Sequence, residues 1–248
     1  MAIRVLVNGA FGHMGRLSSL AIAADTRFSL VGQTGRTHPL ATSIKDSAAE
    51  VVIDFTSSDS VFDNAKTIIE AGARPVIGTS GLTAEQMQVL RTLCEAKKRG
   101  GVIAPNFSLG AVLMIKYASE IVKYMPHVEI LEMHRANKPD SPSGTAMHSA
   151  EKLAEACATV NQPAPPLTET IPHSRGANYN GIPIHAIRLP GLLAQQQIIF
   201  GNTGETLTLI HNSLDRKCFI PGVLLASEKV MTFDRLVCGL EGILNGFD

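Results

Sequence analysis

The run Val5-Leu6-Val7-Asn8-Gly9-Ala10-Phe11-Gly12-His13-Met14-Gly15-Arg16 stands at the head of the chain and decides how the rest is read. Ile3-Val7 is an apolar strand candidate, and a helical pattern follows the glycines to about Asp25. Gly9, Gly12 and Gly15 form G-x-x-G-x-x-G, one residue longer at the first gap than G-x-G-x-x-G. Glycines let the backbone turn tightly and let N–H groups at a helix N-terminus face a pyrophosphate. The same pattern fits a plain strand-to-helix turn. Its place at the start of a βαβ alternation favours a dinucleotide.

That alternation continues through the first hundred residues. Phe28-Gly32, Val51-Phe55, Pro75-Gly78 and Val102-Ala104 read as further strands, with helices near Ser60-Ala71 and over Ala84-Arg99, the latter ending at Gly100-Gly101. Continuous apolar strands separated by helices predict a parallel sheet covered on both faces. After Asn106-Phe107-Ser108 the texture changes. A helix over Ala111-Tyr124, a strand at Val128-Glu132 and a helix over Thr145-Ala158 precede a proline-rich loop, Gln162-Pro163-Ala164-Pro165-Pro166. Ile182-Arg188, Gln197-Phe200 and Thr206-Asn212 read as antiparallel strands with a turn at Gly201-Gly204, and Pro221-Gly222 opens a final helix over Val223-Phe233. The predicted fold class is α/β: a Rossmann-like parallel-sheet nucleotide domain plus an α+β C-terminal domain.

Bulk properties narrow the function. The 248 residues carry 22 Lys+Arg against 22 Asp+Glu, so no global positive field attracts nucleic acid or an anionic membrane. Neither is expected as a partner. The cysteines, Cys94, Cys157, Cys218 and Cys238, are scattered without a CxxC pair, which argues against a metal site or a disulfide framework and suits a reducing cytoplasm. The N-terminus moves straight into a strand with no leader-like run, and no apolar stretch is long enough to span a bilayer.

An acid that would accept from the 2′-hydroxyl of NAD is expected at the end of the second strand. Gly32-Gln33-Thr34-Gly35-Arg36-Thr37-His38 has none. Arg36, with Thr34 and Thr37, suits a 2′-phosphate, so NADPH is the expected cofactor and NADH the alternative. A solvated loop arginine is the plainer reading. Gly78-Thr79-Ser80-Gly81 and Ala104-Pro105-Asn106-Phe107 fall at later strand ends, where ligands bind in open α/β sheets. Each also reads as an ordinary turn.

The richest chemistry lies in Glu132-Met133-His134-Arg135-Ala136-Asn137-Lys138-Pro139-Asp140-Ser141-Pro142-Ser143-Gly144-Thr145. Pro139 disfavours helix at Lys138, so His134 and Lys138 are spaced by loop. Gly144 and Thr145 begin a helix whose first N–H groups can bind a carboxylate. Arg135 and Lys138 add positive charge for a small dianion, and His134 can supply a proton near neutral pH. A solvated basic loop capped by Ser143 is the bland alternative.

This stretch resembles the E-x-H-H-x-x-K-x-D-x-P-S-G-T-A signature of the 4-hydroxy-tetrahydrodipicolinate reductase family of bacterial lysine biosynthesis. The resemblance runs almost end to end: the opening glycine turn, Val52-Ile53-Asp54-Phe55-Thr56-Ser57, Val76-Gly81, Ala104-Ser108, Arg188-Leu189-Pro190-Gly191, Ile199-Gly201 and Phe219-Val223 also match. It implies reduction of the dehydrated form of 4-hydroxy-tetrahydrodipicolinate, with His134 as proton donor and Lys138 as a second catalytic residue that contacts substrate. Arg135, Lys138, Gly144 and Thr145 would hold the substrate. The cofactor contacts carry over to Gly9, Ala10, Phe11, Gly12, His13 and Met14, to Gly78, Thr79 and Ser80, and to Ala104, Pro105, Asn106 and Phe107, beside Arg36. The family further implies a nucleotide domain of residues 1–106 and 219–248, a substrate domain of 107–218, hinges near Asn106-Ser108 and Lys217-Cys218, and a homotetramer joined through the C-terminal domain. Two departures stand out. Arg135 replaces the family's second histidine, and Leu193-Ala194-Gln195-Gln196-Gln197 replaces a run that often reads A-H-Q-E.

Two other readings share the glycine turn: a different two-domain oxidoreductase acting on an amino acid or sugar, and a regulator that senses NADPH without turnover. The first has no reason to carry K-x-D-x-P-S-G-T, and the second has no need of both His134 and Lys138.

Overall fold

The computed structural model describes residues 1–157 and 168–244. The chain divides into two compact units, the first over Met1–Leu109 and again from Arg216, the second over Gly110–Asp215. The first unit contains β1 (Ile3–Asn8), α1 (His13–Ala24), β2 (Phe28–Thr34), α2 (Leu40–Ser47), β3 (Val51–Asp54), α3 (Val61–Glu70), β4 (Arg74–Ile77), α4 (Ala84–Lys97) and β5 (Gly101–Ile103). In the second unit lie α5 (Leu109–Ile121, entering from the first), β6 (His127–His134), α6 (Gly144–Ala156), β7 (Ala177–Tyr179), β8 (Ile182–Arg188), β9 (Ala194–Asn202) and β10 (Glu205–Ser213). The chain returns to the first unit with α7 (Ile220–Lys229), β11 (Leu236–Cys238) and α8 (Glu241–Leu244).

The first sheet is parallel, in the order β11-β5-β4-β3-β1-β2. Val5, Leu6, Val7, Val51, Val52, Ile53, Val76, Ile77 and Val102 are wholly buried, as strands covered on both faces require. Leu6, Val52 and Ile77 share a core with Ile44 of α2, Ile68 and Ile69 of α3, and Leu90 and Cys94 of α4. Helices α1 and α7 pair with each other and lie against β1, β2 and β4.

The second sheet is mixed, in the order β10-β9-β6-β8-β7. Alternation along β6 turns Val128, Ile130 and Glu132 to one face. There Met114 and Ala118 of α5, Ala146, Ala150 and Leu153 of α6, and Ile184, Ile198 and Phe200 close a core. The opposite face carries Leu131 and Met133, with Ile199 on β9, Ile210 on β10 and Ile187 on β8. No helix among the described residues is long and apolar enough to cross a membrane.

Several sequence expectations need correction. Strand β8 runs antiparallel to β9 as expected but does not neighbour it; β6 lies between them, and β8 pairs in parallel with β6 and antiparallel with β7. Only β9 and β10 form the expected hairpin. Helix α4 closes on Lys98 in the left-handed region (φ +50°), not on a glycine, and Gly101 already belongs to β5. Strand β6 runs on to His134, two residues past the expected end. The last expected helix is followed by β11 and α8, and α2 was not foreseen. Short elements such as β11 and β7 carry too few residues for a periodic signal, and their neighbours in the sheet define them. The expected loop at 162–166 lies outside the described residues.

Chain order reverses between β1 and β3, and this puts a crevice at their carboxyl ends. A polar ladder floors it. The Thr34 hydroxyl donates to Asn8 Oδ1 (2.9 Å), and Asn8 Nδ2 donates to Asp54 Oδ2 (2.7 Å). Asp54 also accepts from Thr56 N–H (3.1 Å), the Thr56 hydroxyl (2.7 Å), Asn64 Nδ2 (3.0 Å) and the Thr79 hydroxyl (3.3 Å). Asp54 is fully buried, and among the described residues it meets no cation. Neutral donors alone answer its charge. Asp54→Ala should leave these donors without an acceptor and destabilise the first unit by about 3 kcal/mol or more. Urea denaturation followed by hydrogen exchange at β1 and β3 measures it.

Candidate active site

The glycine turn sits on the ladder. Gly9 has φ +75°, and a Cβ there would lie 2.4 Å from the Phe55 carbonyl oxygen, so only glycine fits. A Cβ on Gly15 would lie 2.1 Å from the Gly9 carbonyl oxygen, which lets α1 start hard against the turn. Gly12 is the N-cap of α1 with extended backbone and supplies no side-chain cap. The first-turn N–H groups are thus left to point outward, as a phosphate site requires.

Two hollows flank this turn. One, of about 610 Å³, is lined by Gly9, Phe11, Gly12, Gly35, Arg36 and His38 among others. The second, of about 480 Å³, includes His13, Met14, Gly78, Thr79 and Ser80. Gly12, Phe55, Thr56 and Ser57 line both. Hollows joined across a helix start suit an elongated ligand whose middle is a pyrophosphate. Ala10 is buried beneath the turn, and its N–H donates to the Thr34 carbonyl (3.0 Å). Thr34 departs from its expected place in the specificity loop, since its hydroxyl turns inward to Asn8. His38 stands there instead, accepting from Gly35 N–H (3.3 Å) and tilted against Phe11 with ring centroids 5.8 Å apart.

Ala104, Pro105, Asn106 and Phe107 are not among the residues lining these hollows. Phe107 meets Phe55, which lines both hollows, edge-on at 5.8 Å. Asn106 Oδ1 accepts from Ser108 N–H (2.8 Å) and tightens that turn.

In the second unit the central strand β6 ends on His134. Residues two apart share a strand face, and this brings Glu132 and His134 together. Glu132 is fully buried and His134 largely so. His134 Nδ1 contacts Glu132 Oε2, and Arg188 Nη2 from β8 donates to Glu132 Oε1 (2.8 Å). Arg188 Nη2 also donates to the Asp140 carbonyl (2.7 Å), while the Asp140 carboxylate takes Lys138 Nζ at 2.5 and 2.6 Å. Burial pushes the His134 imidazole below its ordinary pKa; Glu132 pulls it upward, and Lys138 and Arg188 push it down. The hydrogen bond from Lys138 holds Asp140 below the usual carboxylate range.

Ser143 caps α6 by accepting from Ala146 N–H (3.2 Å), and Gly144 and Thr145 form its first turn. A Cβ on Gly144 would meet nothing within 4 Å, so the space over this helix start is open. Arg135 is exposed, and its guanidinium has no partner among the described residues. The bland reading of a solvated loop fails for His134 and Lys138, both held in a network, and fits Arg135 best.

Sequence reasoning missed the partners. Glu132 and Asp140 stood in the quoted stretch without a role, and Arg188 lies 54 residues beyond His134. For Glu132 the signal was available: an acid two residues before a histidine in a strand pattern. The run Arg188-Leu189-Pro190-Gly191 matches the family pattern, but nothing in it points to Glu132, because only the β6–β8 pairing brings Arg188 opposite His134. Among the described residues no group of His, Cys, Asp or Glu could hold a metal ion.

Comparison with known proteins shows the family. Family models for the N-terminus and the C-terminus of dihydrodipicolinate reductase match residues 3–107 and 110–244. A 4-hydroxy-tetrahydrodipicolinate reductase of Coxiella burnetii (strain Dugway 5J108-111) is 51% identical over 98% of this chain and 100% of its own length. One from Legionella pneumophila (strain Paris) is 49% identical over the same shares. The solved dihydrodipicolinate reductase from Paenisporosarcina sp. TG-14, with dipicolinate bound, superposes with TM-score 0.92 at 39% identity, over 98% of this chain and 100% of that one. The family is one of pyridine-nucleotide-dependent reductases. With both models matched along nearly the whole chain, the protein belongs to the dihydrodipicolinate reductase family.

Proposed function

We propose that the chain reduces the dehydrated form of 4-hydroxy-tetrahydrodipicolinate to tetrahydrodipicolinate, in the route to diaminopimelate and lysine. What carries this reading is the placing of His134 and Lys138 in one network of ion pairs and hydrogen bonds on the segment that leads into α6. A nicotinamide dinucleotide, when bound, supplies the hydride. The chain's own groups do the rest. Gly144 and Thr145 offer the helix start to a substrate carboxylate, and Arg135 and Lys138 supply charge for the second. His134 gives the proton that completes the two-electron reduction.

The first unit holds the dinucleotide through Gly9–Met14, Gly78–Ser80 and the support of Ala104–Phe107. Arg36 in the larger hollow, with no acid at the end of β2, favours a 2′-phosphate and hence NADPH over NADH. Residues 1–106 with 219–248 act as the nucleotide domain and 107–218 as the substrate domain. The uncovered face of the second sheet, with Leu131, Met133, Ile187 and Ile199, suits assembly into a homotetramer through the C-terminal domain. The protein works in the cytoplasm, in keeping with the absence of a disulfide among the described residues.

His134→Gln should lower kcat roughly 100-fold or more while leaving NADPH affinity intact. Lys138→Ala should lose turnover as well. Steady-state assay with freshly generated substrate, beside fluorescence titration of NADPH, measures both, and near-wild-type turnover of His134→Gln would sink the assignment. Arg36→Ala should cut the preference for NADPH over NADH by roughly tenfold, the worth of one charged hydrogen bond. Since His134 must be protonated to donate, kcat/KM should fall as pH rises, through an apparent pKa below that of ordinary imidazole. Bound dianion raises the proton affinity of the ring, so the matching limb of kcat should lie at higher pH. Parallel pH profiles of the two constants check the sign.

A further inference from the structure

We propose that Glu132 is the positioning residue for His134, held in place by Arg188, and that this buried pair sets which ring nitrogen of His134 faces the substrate. The inference rests on the reading of His134 as proton donor. Its geometry lies wholly within the second unit.

Glu132 has no solvent exposure, and a carboxylate in that setting is costly unless both oxygens are answered. One oxygen faces His134 Nδ1 and the other takes Arg188 Nη2 at 2.8 Å. Strand geometry fixes the first contact, since Glu132 and His134 project from one face of β6. Pairing of β6 with β8 fixes the second, because His134 and Arg188 are register partners. The His134 carbonyl also accepts from Leu189 N–H (3.1 Å), which pins the strand end that carries the ring.

The chemical consequence is a choice of tautomer. Glu132 holds the proton on Nδ1, so the proton passed to substrate leaves from Nε2. Before transfer the ring is imidazolium with both nitrogens protonated. Afterwards it is the neutral Nδ1–H form, still bonded to Glu132, and solvent restores Nε2–H. Arg188 neutralises the buried acid and, through the Asp140 carbonyl, ties it to the loop that holds Lys138. The charged groups facing His134 are Glu132 on its own strand, Arg188 from β8 and Lys138 from the following loop, with Asp140 bound to Lys138.

Glu132→Gln keeps the shape and removes the charge. The His134 ring, followed by NMR and assigned by its loss in His134→Gln, should titrate at a pH lower by about one unit or more. The alkaline limb of kcat/KM should move the same way, and kcat should fall at least roughly tenfold with NADPH affinity unchanged. The double variant Glu132→Gln/Arg188→Met leaves no orphaned charge, so it serves even where the single variant does not fold. Because Arg188 opposes protonation of His134, the double variant should titrate above the single one, with turnover still depressed. Unmoved His134 titration in the single variant, or wild-type kcat in whichever of these variants folds, overturns the proposal. Full activity of His134→Gln would instead overturn the proton-donor reading, while the titration would still report whether Glu132 governs the ring.

Discussion

A carboxylate taken wholly out of water has to be answered from within, and each unit of this protein is organised around one. In the first, Asp54 ends β3 at the place where chain order reverses, and its oxygens are met by amides and hydroxyls of Asn8, Thr56, Asn64 and Thr79. Those partners come from the ends of β1 and β4 and from the segment after β3. Satisfying Asp54 therefore sets the heights of three strand ends relative to one another. The glycine turn is built on that floor, with Gly9 against the Phe55 carbonyl directly after Asp54. Binding geometry at the turn follows from burial below it.

The second unit meets the same constraint with different chemistry. Glu132 is answered by a guanidinium and an imidazole, so its environment is charged and titratable where that of Asp54 is neutral. The fixed dipoles around Asp54 do not respond to pH, whereas Glu132 alters the proton affinity of the imidazole beside it. In the free protein the burial of His134 outweighs the attraction of Glu132, and the ring favours its neutral form. On the proposed assignment, a bound dianion raises the proton affinity of the ring, so protonation and substrate binding reinforce one another.

The pairing of Lys138 with Asp140 has a related effect. A lysine side chain has many rotamers, and at half-buried Lys138 a carboxylate two residues away limits them. On its proposed role, Lys138 would meet a substrate carboxylate already positioned by Asp140. Arg135, by contrast, is exposed with no such restraint, so its planar charge is free to adapt.

The sequence by itself determined the strand–glycine–helix opening, the parallel first sheet, the change of texture past Ser108 and the stretch from Glu132 to Thr145. Each of these is local, carried by periodicity, by glycine spacing or by charge density within a dozen residues. Only the tertiary structure decided that β8 lies parallel to β6, that β11 returns to the first sheet, that Thr34 turns inward and that Arg188 reaches Glu132. Those outcomes depend on pairings between segments far apart in the chain. No local pattern encodes such a pairing, because its energy comes from the neighbour. His134 was legible as a reactive residue; what holds it in place was not, because half of its support lies on another strand.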